Sequence, residues 1–440
     1  MHLDRTIAGL FWLLLYLAVV LVPVFLMLVP PVPSGRPFWL EFSVALGFVG
    51  LTQIALQFLL IARFKRLTAP YGIDIILRYH RRIALVAVGA ILLHPLIIVI
   101  DNPSRLKLLN PLSGNWASRF GLLSVLVLLA TVATSVFRER LRLDYEAWRL
   151  LHIGFGVAAV VFAQLHASMA GLYINTAWKQ AVWIGMSAAM VGLVLYLRVI
   201  KPLRQQAYRW KVAEVRAERG DTNTLALEPV GHGGLRFEPG QFAWIKLHRS
   251  AFTLEEHPFS FTSSAERRDR IEFGIQAVGD FSSAIPDVPP GTRAYVDGPH
   301  GAFTIDRHPA AGYVLFAGGI GVAPFLSVLR TMADRKDPRP VLLFYANTAW
   351  EDLAYREDIE ELRERLDLDV VYVLEDPPED WQGERGYVTP ELLDRHLPAA
   401  AVGRNYMLCG PPPMMDAVNK ALVERDVPHA RIRLERFALV

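Results

Sequence analysis

Four histidines inside apolar segments are the residues of this chain best suited to chemistry. His80 and His94 stand 14 residues apart in one segment, and His152 and His166 stand 14 apart in another. At roughly 100° per residue, fourteen steps of a helix return to within about 40° of the starting direction and rise about 21 Å. Ionisable residues inside a membrane are costly and usually face the bundle interior or a bound ligand. On parallel helices, this spacing predicts two stacked sites, one pairing His80 with His152 and one pairing His94 with His166.

The residue types at these sites favour haem iron over other metals. A zinc site would need its ligands clustered in one coordination sphere, whereas here two distant histidine pairs have no carboxylate or thiolate beside them. The chain has no CxxCH motif and a single cysteine, Cys409, so the sequence predicts two non-covalent, b-type haems, no iron–sulfur cluster and no disulfide. The alternative is that the histidines only make hydrogen bonds inside a helical bundle.

Long apolar segments must position these histidines. The chain has 440 residues, of which 52% are hydrophobic and 20% charged, which is too apolar for an ordinary soluble protein. A membrane-spanning helix needs roughly 20 apolar residues. The six predicted spans are Ile7–Pro30, Phe38–Ala62, His80–Ile100, Ala117–Phe137, Trp148–Leu172 and Ala181–Ile200. The first is too long for the apolar part of a signal peptide and has no small-residue cleavage site after it, so we expect it to remain in the mature protein.

The distribution of basic residues predicts the orientation of the spans. Segments 63–82, 138–149 and 198–204 are rich in arginine and lysine, so they are predicted to face the cytoplasm, with both termini and the second half of the chain. The protein is therefore expected to be an integral, multi-pass protein of a bacterial-type inner or plasma membrane, in contact with lipid. His80 and His152 would lie near the cytoplasmic side, and His94 and His166 near the outer side. The net charge of +3 gives no reason to expect a nucleic-acid partner.

After about residue 205 the composition is that of a soluble protein. Short alternating runs, interrupted by turn signals, surround four motifs and predict a small antiparallel barrel. The motifs are PGQF at 239–242, HPFSFTS at 257–263, VGDFSS at 278–283 and GPHGAF at 298–303. Within the third, Gly279, Ser282 and Ser283 could present backbone and hydroxyl donors to a pyrophosphate.

The last third of the chain has the pattern of a parallel α/β domain. The stretch GYVLFAGGIGVAPFLSVL at 312–329 is an apolar strand, a glycine loop and a helix, in which backbone N–H groups can approach a phosphate. The loop reads GGxGxxP, with Pro324 where a dinucleotide Rossmann fingerprint would have its third glycine. A later apolar strand ends in the sequence CGP at 409–411.

Taken together, these motifs resemble those of a known family. Their order resembles the FAD-binding barrel and nucleotide domain of the ferredoxin–NADP reductase superfamily, and the HPFSFTS form resembles its ferric reductase and NADPH oxidase branch. That branch has a six-helix transmembrane domain whose third and fifth helices carry paired histidines for two b-type haems. The resemblance covers essentially the whole chain. It implies three domains, at 1–205 for the haems, 206–307 for FAD and 308–440 for NAD(P)H.

The resemblance also implies roles for individual residues. The flavin would be bordered by His257, Pro258, Phe259, Ser260 and Ser263, with Gly279, Phe281 and Ser282 at its phosphates. The coenzyme would contact Gly318, Gly319, Gly321 and Pro324, and its nicotinamide would lie beside Cys409, Gly410 and Pro411. Phe437 would cover the flavin, and Glu435 would hydrogen-bond near it. Cys409 has an alternative interpretation as a small buried hydrophobic residue.

The predicted function is export of electrons from cytoplasmic NAD(P)H through FAD and two haems. Dioxygen, reduced to superoxide, is the predicted acceptor. The alternatives are a ferric chelate and a partner protein or quinone; a further alternative is a bundle without haem. The eukaryotic oxidases have a basic residue near the outer haem on the second helix, where this chain has only Glu41. Both coenzymes are expected to be accepted, with NADPH favoured by the family likeness, although Asn347 and Thr348 stand where NADP-selective members offer Arg or Ser.

Overall fold

The chain folds into two compact units. The computed structural model describes residues 2–64, 73–112, 114–247, 250–397 and 403–436, without the side chains of 2–6 and 73–74. A helical unit ends at Ile200, and a two-sheet unit begins at Lys201. The predicted boundaries at 205 and 307 stay predictions.

Within the described part of the chain, six helices are long and apolar enough to cross a membrane. They are α1 (His2–Leu28), α2 (Phe38–Leu60), α3 (Ile73–Asp101), α4 (Trp116–Val136), α5 (Tyr145–Ala170) and α6 (Ala177–Leu195), the last continuing through a π-helical turn (Tyr196–Ile200) into α7 (Lys201–Ala207). Helix α3 begins seven residues before His80, because arginine and isoleucine continue a helix beyond the apolar segment. His80 is therefore well inside its helix.

Small residues allow the helices of this unit to pack closely. A Cβ on Gly50 of α2 would lie 2.6 Å from the Ile91 side chain and 3.0 Å from the Ala87 carbonyl of α3. Ala87 and Ala159, midway between the histidines of their helices, are both buried. The outer surface instead presents large apolar side chains such as Phe11, Leu85 and Ile184, as expected for a surface that faces lipid.

The first sheet of the second unit is antiparallel, with strand order β4-β3-β6-β1-β2-β5. Its strands are β1 (Trp210–Ala217), β2 (Thr222–Pro229), β3 (Phe242–Lys246), β4 (His257–Ser260), β5 (Ile271–Gln276) and β6 (Arg293–His300), with the short helix α8 (Asp280–Ser283) after β5. A single bridge between Phe261 and Phe273 brings the chain after β4 against β5, and the Thr262 N–H donates to the Glu272 carbonyl. The sheet thus curls around its core without the full ladder of a closed barrel.

The second sheet is parallel, with strand order β10-β9-β8-β7-β11-β12. Its elements are β7 (Gly312–Gly318), α9 (Ala323–Arg335), β8 (Val341–Asn347), α10 (Arg356–Arg363), β9 (Leu368–Leu374), β10 (Glu384–Arg385), α11 (Pro390–His396), β11 (Arg404–Cys409), α12 (Pro412–Val423) and β12 (Ile432–Glu435). Strands β7 and β8 are almost wholly buried, which is typical of a parallel sheet covered on both faces. The predicted architecture of a six-helix bundle, an antiparallel sheet and a parallel α/β domain is confirmed.

Buried contacts join the two sheets of this unit. The hydroxyl of Tyr355, a residue only 1% exposed, lies 3.0 Å from the Thr224 hydroxyl of β2. The Ser327 hydroxyl of α9 donates to the Ser263 carbonyl at 2.8 Å, and Arg330 donates to the Thr262 carbonyl at 3.1 Å. These bonds hold α9 and the segment after β8 against the antiparallel sheet.

Candidate redox sites

The structure brings the four membrane histidines together as two pairs. The rings of His80 and His152, the 80/152 pair, have centroids 6.2 Å apart, and those of His94 and His166, the 94/166 pair, are 6.3 Å apart. An imidazole nitrogen lies about 1.1 Å from its ring centroid and about 2.0 Å from a metal that it binds, so two rings sharing one metal have centroids roughly 6 Å apart. Both pairs therefore have the separation expected of two imidazole rings that share one metal ion.

Hydrogen bonds define the protonation of the 94/166 pair. His94 Nδ1 lies 2.9 Å from the Ser43 carbonyl, and His166 Nδ1 lies 2.8 Å from the Ala117 carbonyl. A carbonyl can only accept, so both Nδ1 atoms carry the proton and both Nε2 atoms keep a lone pair for a metal. The Ser43 hydroxyl donates to the His94 carbonyl at 2.9 Å, and its oxygen lies 3.0 Å from His94 Nδ1 as a second acceptor. A hydrogen bond from the second ring nitrogen to a backbone carbonyl is typical of histidines that bind a metal.

The 80/152 pair is held differently. His152 Nδ1 lies 3.0 Å from the Ser135 hydroxyl, whose own proton goes to the Thr131 carbonyl at 2.8 Å. Ser135 must therefore accept, both from His152 and from the Trp148 indole N–H at 3.2 Å. His80 Nδ1 is buried with no hydrogen-bond partner among the residues that the structure describes. Only one ring of this pair has its orientation fixed by a hydrogen bond there.

Two glycines make room for the 94/166 pair. A Cβ on Gly47 would lie 3.2 Å from the His94 ring, and one on Gly121 would lie 2.9 Å from His166 Nδ1. Neither glycine was singled out from the sequence, and neither were Ser43 and Ser135. A glycine within an apolar span was the available signal, since glycine weakens a helix and so indicates a packing or functional need.

A polar cluster lies at the end of the helical unit near Ser43. The Tyr173 hydroxyl donates to Glu41 at 2.5 Å, and Arg36 lies 3.0 Å from the other Glu41 oxygen and over the Tyr173 ring. Burial and the bond to Glu41 raise the pKa of the Tyr173 phenol. Lys179 is fully buried, and its ammonium donates to the carbonyls of Val29 and Pro31. Arg36, a basic residue just before α2, thus lies beside Glu41 in the first turn of that helix.

No larger metal-binding cluster accompanies the pairs. Across the described ranges, no three His, Cys, Asp or Glu side chains are grouped so as to hold a metal ion. The imidazole pairs are the donor sets that remain.

The predicted flavin residues form a partly exposed aromatic face. The His257 ring stacks on Phe281 with centroids 4.2 Å apart, and Phe259 lies 6.0 Å from the same ring. His257, Pro258 and Phe259 of β4 are half-buried, whereas Ser260 is buried. A flat apolar face of this kind suits a planar isoalloxazine ring.

Two of the predicted flavin residues have structural partners. The Ser282 hydroxyl accepts from the backbone N–H groups of Val278 and Gly279 and donates to the Gly279 carbonyl, each at 3.0 Å. Its hydrogen bonds therefore lie within its own turn. Ser263 is buried, accepts from the Glu272 N–H at 3.1 Å and contacts α9 rather than the His257 stack. The role of both residues toward FAD stays a prediction.

The glycine loop after β7 and the CGP segment after β11 meet closely. A Cβ on Gly321 would lie 2.2 Å from the Cys409 carbonyl, and one on Gly410 would lie 2.9 Å from the Gly318 nitrogen. Gly319 has φ +53°, the left-handed region that favours glycine, and Pro324 stands in the first turn of α9. Gly318 would carry a Cβ 2.7 Å from Pro411. The two segments thus pack backbone against backbone, which leaves no room for side chains at Gly318, Gly321 and Gly410.

Cys409, Glu435 and Phe437 were predicted to act beside the nicotinamide and flavin. The Cys409 side chain is fully buried in the core beneath the sheet, and burial, with a smaller effect from Glu435, raises the pKa of its thiol well above the ordinary value. Cys409 and Glu435 are register partners at the ends of β11 and β12. Phe437 lies outside the described residues. The roles of all three stay predictions.

Comparison with known proteins agrees with this division. Residues 46–163 match the family model of the ferric reductase like transmembrane component, which includes His80, His94 and His152. Residues 208–302 match an FAD-binding domain, and residues 315–420 match an oxidoreductase NAD-binding domain.

Individual relatives match part of the chain. NADH-cytochrome b5 reductase 1 of Debaryomyces hansenii is 37% identical over 148 residues, which is 33% of this chain and 52% of that protein, so the chain spans about half the length of this relative. The reductase component of propane 2-monooxygenase from Mycolicibacterium smegmatis is 33% identical over 241 residues, covering 53% of this chain and 68% of that protein. The flavohem-like FAD/NAD-binding domain of nitric oxide dioxygenase from Vibrio cholerae aligns with a TM-score of 0.47 at 20% identity, over 52% of this chain and 98% of that domain.

The matched regions follow one another as a ferric reductase-like transmembrane component, an FAD-binding domain and an oxidoreductase NAD-binding domain. The chain has the domain architecture of the ferric reductase and NADPH oxidase type, with a ferredoxin–NADP reductase-like dehydrogenase region. With six apolar helices, it is an integral, multi-pass membrane protein.

Proposed function

We propose that this protein transfers electrons across a membrane, from NAD(P)H through FAD and two b-type haems to an acceptor on the other side. The observation that carries the proposal is the two histidine pairs, with ring centroids 6.2 and 6.3 Å apart, on the same two helices. If the histidines only made hydrogen bonds inside the bundle, nothing would require the two ring separations to be equal. Nor would anything require both to match two imidazoles bound to one iron atom.

The proposed roles follow from the contacts of each residue. His80 and His152 would hold one haem, and His94 and His166 the other, with Nε2 as the ligand atom, since Nδ1 carries the proton in His94, His152 and His166. When bound, FAD accepts a hydride as two electrons, and haem iron takes electrons one at a time. The half-buried face of His257, Phe259 and Phe281 would orient the flavin.

The proposed topology follows the basic residues. The arginine-rich segments on either side of α3 and α5 would be cytoplasmic, as would the whole two-sheet unit. The 80/152 pair would then lie nearer the cytoplasm, and the 94/166 pair nearer the outer face of a bacterial-type inner or plasma membrane.

Dioxygen, reduced to superoxide, is the proposed acceptor. The second candidate is a ferric chelate, which the cluster of Arg36, Glu41 and Tyr173 favours. These charged and polar groups lie near Ser43, the residue that bonds His94, and could bind a charged chelate, whereas dioxygen needs no such groups.

The test is an anaerobic absorbance spectrum of the detergent-purified chain with FAD, before and after addition of NADH or NADPH, followed by air or ferric citrate. Reduced b-type haem bands that reoxidise in air with superoxide support the oxidase. Bands that persist in air and collapse with ferric citrate identify a ferric-chelate reductase. Bands that respond to neither point to a protein or quinone acceptor. If the protein contains no haem, the proposal is wrong.

A further inference from the structure

The edge of the parallel sheet where a coenzyme would bind carries exposed acidic residues. Strands β7, β8 and β9 end side by side, with Gly318 paired to Ala346 and Asn347 paired to Leu374. In parallel α/β sheets, ligands bind at the carboxyl ends of the strands, and the strand next to the phosphate loop approaches the adenosine ribose. The residues just after β8 and β9 therefore face the part of the coenzyme that distinguishes NADPH from NADH.

Two carboxylates lie at that position. The backbone N–H of Glu375 donates to the Asn347 carbonyl at 3.1 Å, and that of Asp376 donates to the Thr348 carbonyl at 2.8 Å. These bonds extend the pairing of β9 with β8 by two residues, so both acids flank Thr348, which is exposed. Both acids are exposed as well, and Glu375 accepts from the Tyr387 hydroxyl at 3.0 Å. That hydrogen bond raises the pKa of the phenol, so Tyr387 remains a donor.

The arginines of this region are already engaged. Arg356, the first after β8, stacks over the Trp350 ring at 4.2 Å, donates to the Trp350 carbonyl at 3.0 Å and pairs with Glu357 at 3.0 Å. The other arginines described between 341 and 397 also have partners on the chain, namely Arg363 with Glu360, Arg365 with Asp334, Arg385 with three backbone carbonyls and Arg395 with Glu384. A 2′-phosphate would therefore meet two carboxylates at this edge of the sheet. Every arginine described between 341 and 397 already interacts with another group of the chain.

NADPH differs from NADH only in the phosphate on the adenosine 2′-oxygen. A carboxylate accepts hydrogen bonds from ribose hydroxyls but repels a 2′-phosphate, because like charges placed together at a binding surface oppose binding. We propose that Glu375 and Asp376 make the protein select NADH over NADPH. This inference rests on the proposed function, and it replaces the expectation from family likeness that NADPH is favoured.

Asn347 stands where NADP-selective members offer Arg or Ser, but in this structure its side chain stabilises the loop after β8. Its side-chain amide donates to the Asp352 carbonyl at 2.8 Å, and its side-chain oxygen accepts from the Thr348 N–H at 2.9 Å. Both polar atoms brace the loop after β8. An Asn347→Arg substitution would remove both hydrogen bonds, whereas the side chain of the exposed Thr348 makes no hydrogen bond of this kind with the residues that the structure describes.

The experiment compares flavin reduction by the two coenzymes. The full detergent-purified chain with FAD is mixed anaerobically with NADH or NADPH in a stopped-flow instrument, and kcat/KM is obtained for each. We expect NADH to be preferred at least about tenfold, and the double variant Glu375→Gln/Asp376→Asn to lower that ratio at least about tenfold. Glu379→Gln, an exposed acid in the same loop, is the matched control and should leave the ratio unchanged.

Binding of nucleotide fragments provides a readout independent of flavin chemistry. By titration calorimetry, the unsubstituted chain should bind 5′-AMP more tightly than 2′,5′-ADP, and the double variant should gain affinity for 2′,5′-ADP only. Equal or tighter binding of 2′,5′-ADP by the unsubstituted chain, a preference for NADPH, or a ratio that the double variant leaves unchanged would each overturn the inference. If neither coenzyme reduces the flavin, the proposed function is wrong, and the fragment affinities still decide the inference about the two carboxylates.

Discussion

The two histidine pairs have the same ring separation but are held by different parts of the chain. In the 94/166 pair, both Nδ1 atoms bond to backbone carbonyls, those of Ser43 and Ala117. In the 80/152 pair, one Nδ1 bonds to the Ser135 hydroxyl, and the other has no described partner. A backbone acceptor is supplied by any residue type, whereas a hydroxyl is not. Backbone carbonyls therefore orient both rings of the 94/166 pair, with the Ser43 hydroxyl as a second group 3.0 Å from His94 Nδ1, whereas the 80/152 pair relies on one hydroxyl.

The glycines near the rings also distinguish the two histidine pairs. Gly47 and Gly121 are each in near contact with a ring of the 94/166 pair, so the neighbouring helices press directly on both imidazoles. Gly154, two residues after His152, would instead carry a Cβ into open space. The 94/166 pair is thus sterically confined on both sides, and substitutions that add volume should affect it most.

Removing a histidine should have the largest effect and should separate the pairs by function. His94→Ala or His166→Ala should leave one haem per chain that NAD(P)H still reduces, while reduction of the external acceptor stops. His80→Ala or His152→Ala should leave one haem that dithionite reduces and NAD(P)H does not, since electrons would have to pass the missing site. The measurement is haem content with anaerobic reduction spectra.

The control for these variants is His429→Ala, an exposed histidine in the two-sheet unit, which should retain both haems and full turnover. External reduction that persists in His94→Ala or His166→Ala would show that electrons do not pass through the 94/166 pair. Flavin reduction by NAD(P)H should be the same in all five proteins, because the flavin and coenzyme residues are unchanged.

A smaller but still clear effect is expected from Gly121→Ala. The new Cβ would lie 2.9 Å from His166 Nδ1, closer than real Cβ contacts occur, so the ring must move and lose its bond to the Ala117 carbonyl. We expect haem content to fall from about two toward one per chain, with Gly47→Ala milder because its contact is 3.2 Å. Haem titration of the purified variants provides the measurement.

Gly185→Ala is the matched control for that change, since a Cβ there would have no neighbouring atom of the described residues within 4 Å. Alanine stabilises a helix by roughly 0.5–1 kcal/mol relative to glycine, so neither variant should lose stability through helix propensity. Full haem content in Gly121→Ala would mean that the ring of His166 is not confined as the structure indicates.

The histidine pairs could be predicted from the sequence because a spacing of 14 residues is a property of a single helix. The contacts around them could not. Whether Ser135 bonds His152 depends on how α4 packs against α5, and neither helix encodes that register by itself. Gly121 was visible as a glycine in an apolar span, but its neighbour, His166, lies 45 residues away in the chain.

In the dehydrogenase region, too, the sequence predicted the local motifs but not every contact that they make. The glycine loop and the CGP segment were predicted from strand–loop–helix patterns, and the structure brings them into contact. The hydrogen bonds of Ser282 within its own turn were missed, although a serine three residues after Gly279 at the start of a short helix is a local capping signal. The closeness of Glu375 and Asp376 to Thr348 needed the pairing of β8 with β9, which a single strand sequence does not specify.

The smallest expected effects come from two serine variants, and they distinguish backbone from side-chain support. Ser135→Ala removes the acceptor of His152 Nδ1, and loss of such a partner typically weakens metal binding about 10–100-fold. Ser43→Ala removes the hydroxyl that donates to the His94 carbonyl and lies 3.0 Å from His94 Nδ1, while the backbone carbonyl of residue 43 still accepts from that Nδ1. Haem affinity at the 94/166 pair should therefore change little. Ser187→Ala, which removes a half-buried hydroxyl bonded to the Trp183 carbonyl on α6, serves as the control for losing a hydroxyl within a span. If Ser43→Ala weakens haem binding as much as Ser135→Ala does, the two pairs are held alike, and backbone acceptors give the 94/166 pair no advantage.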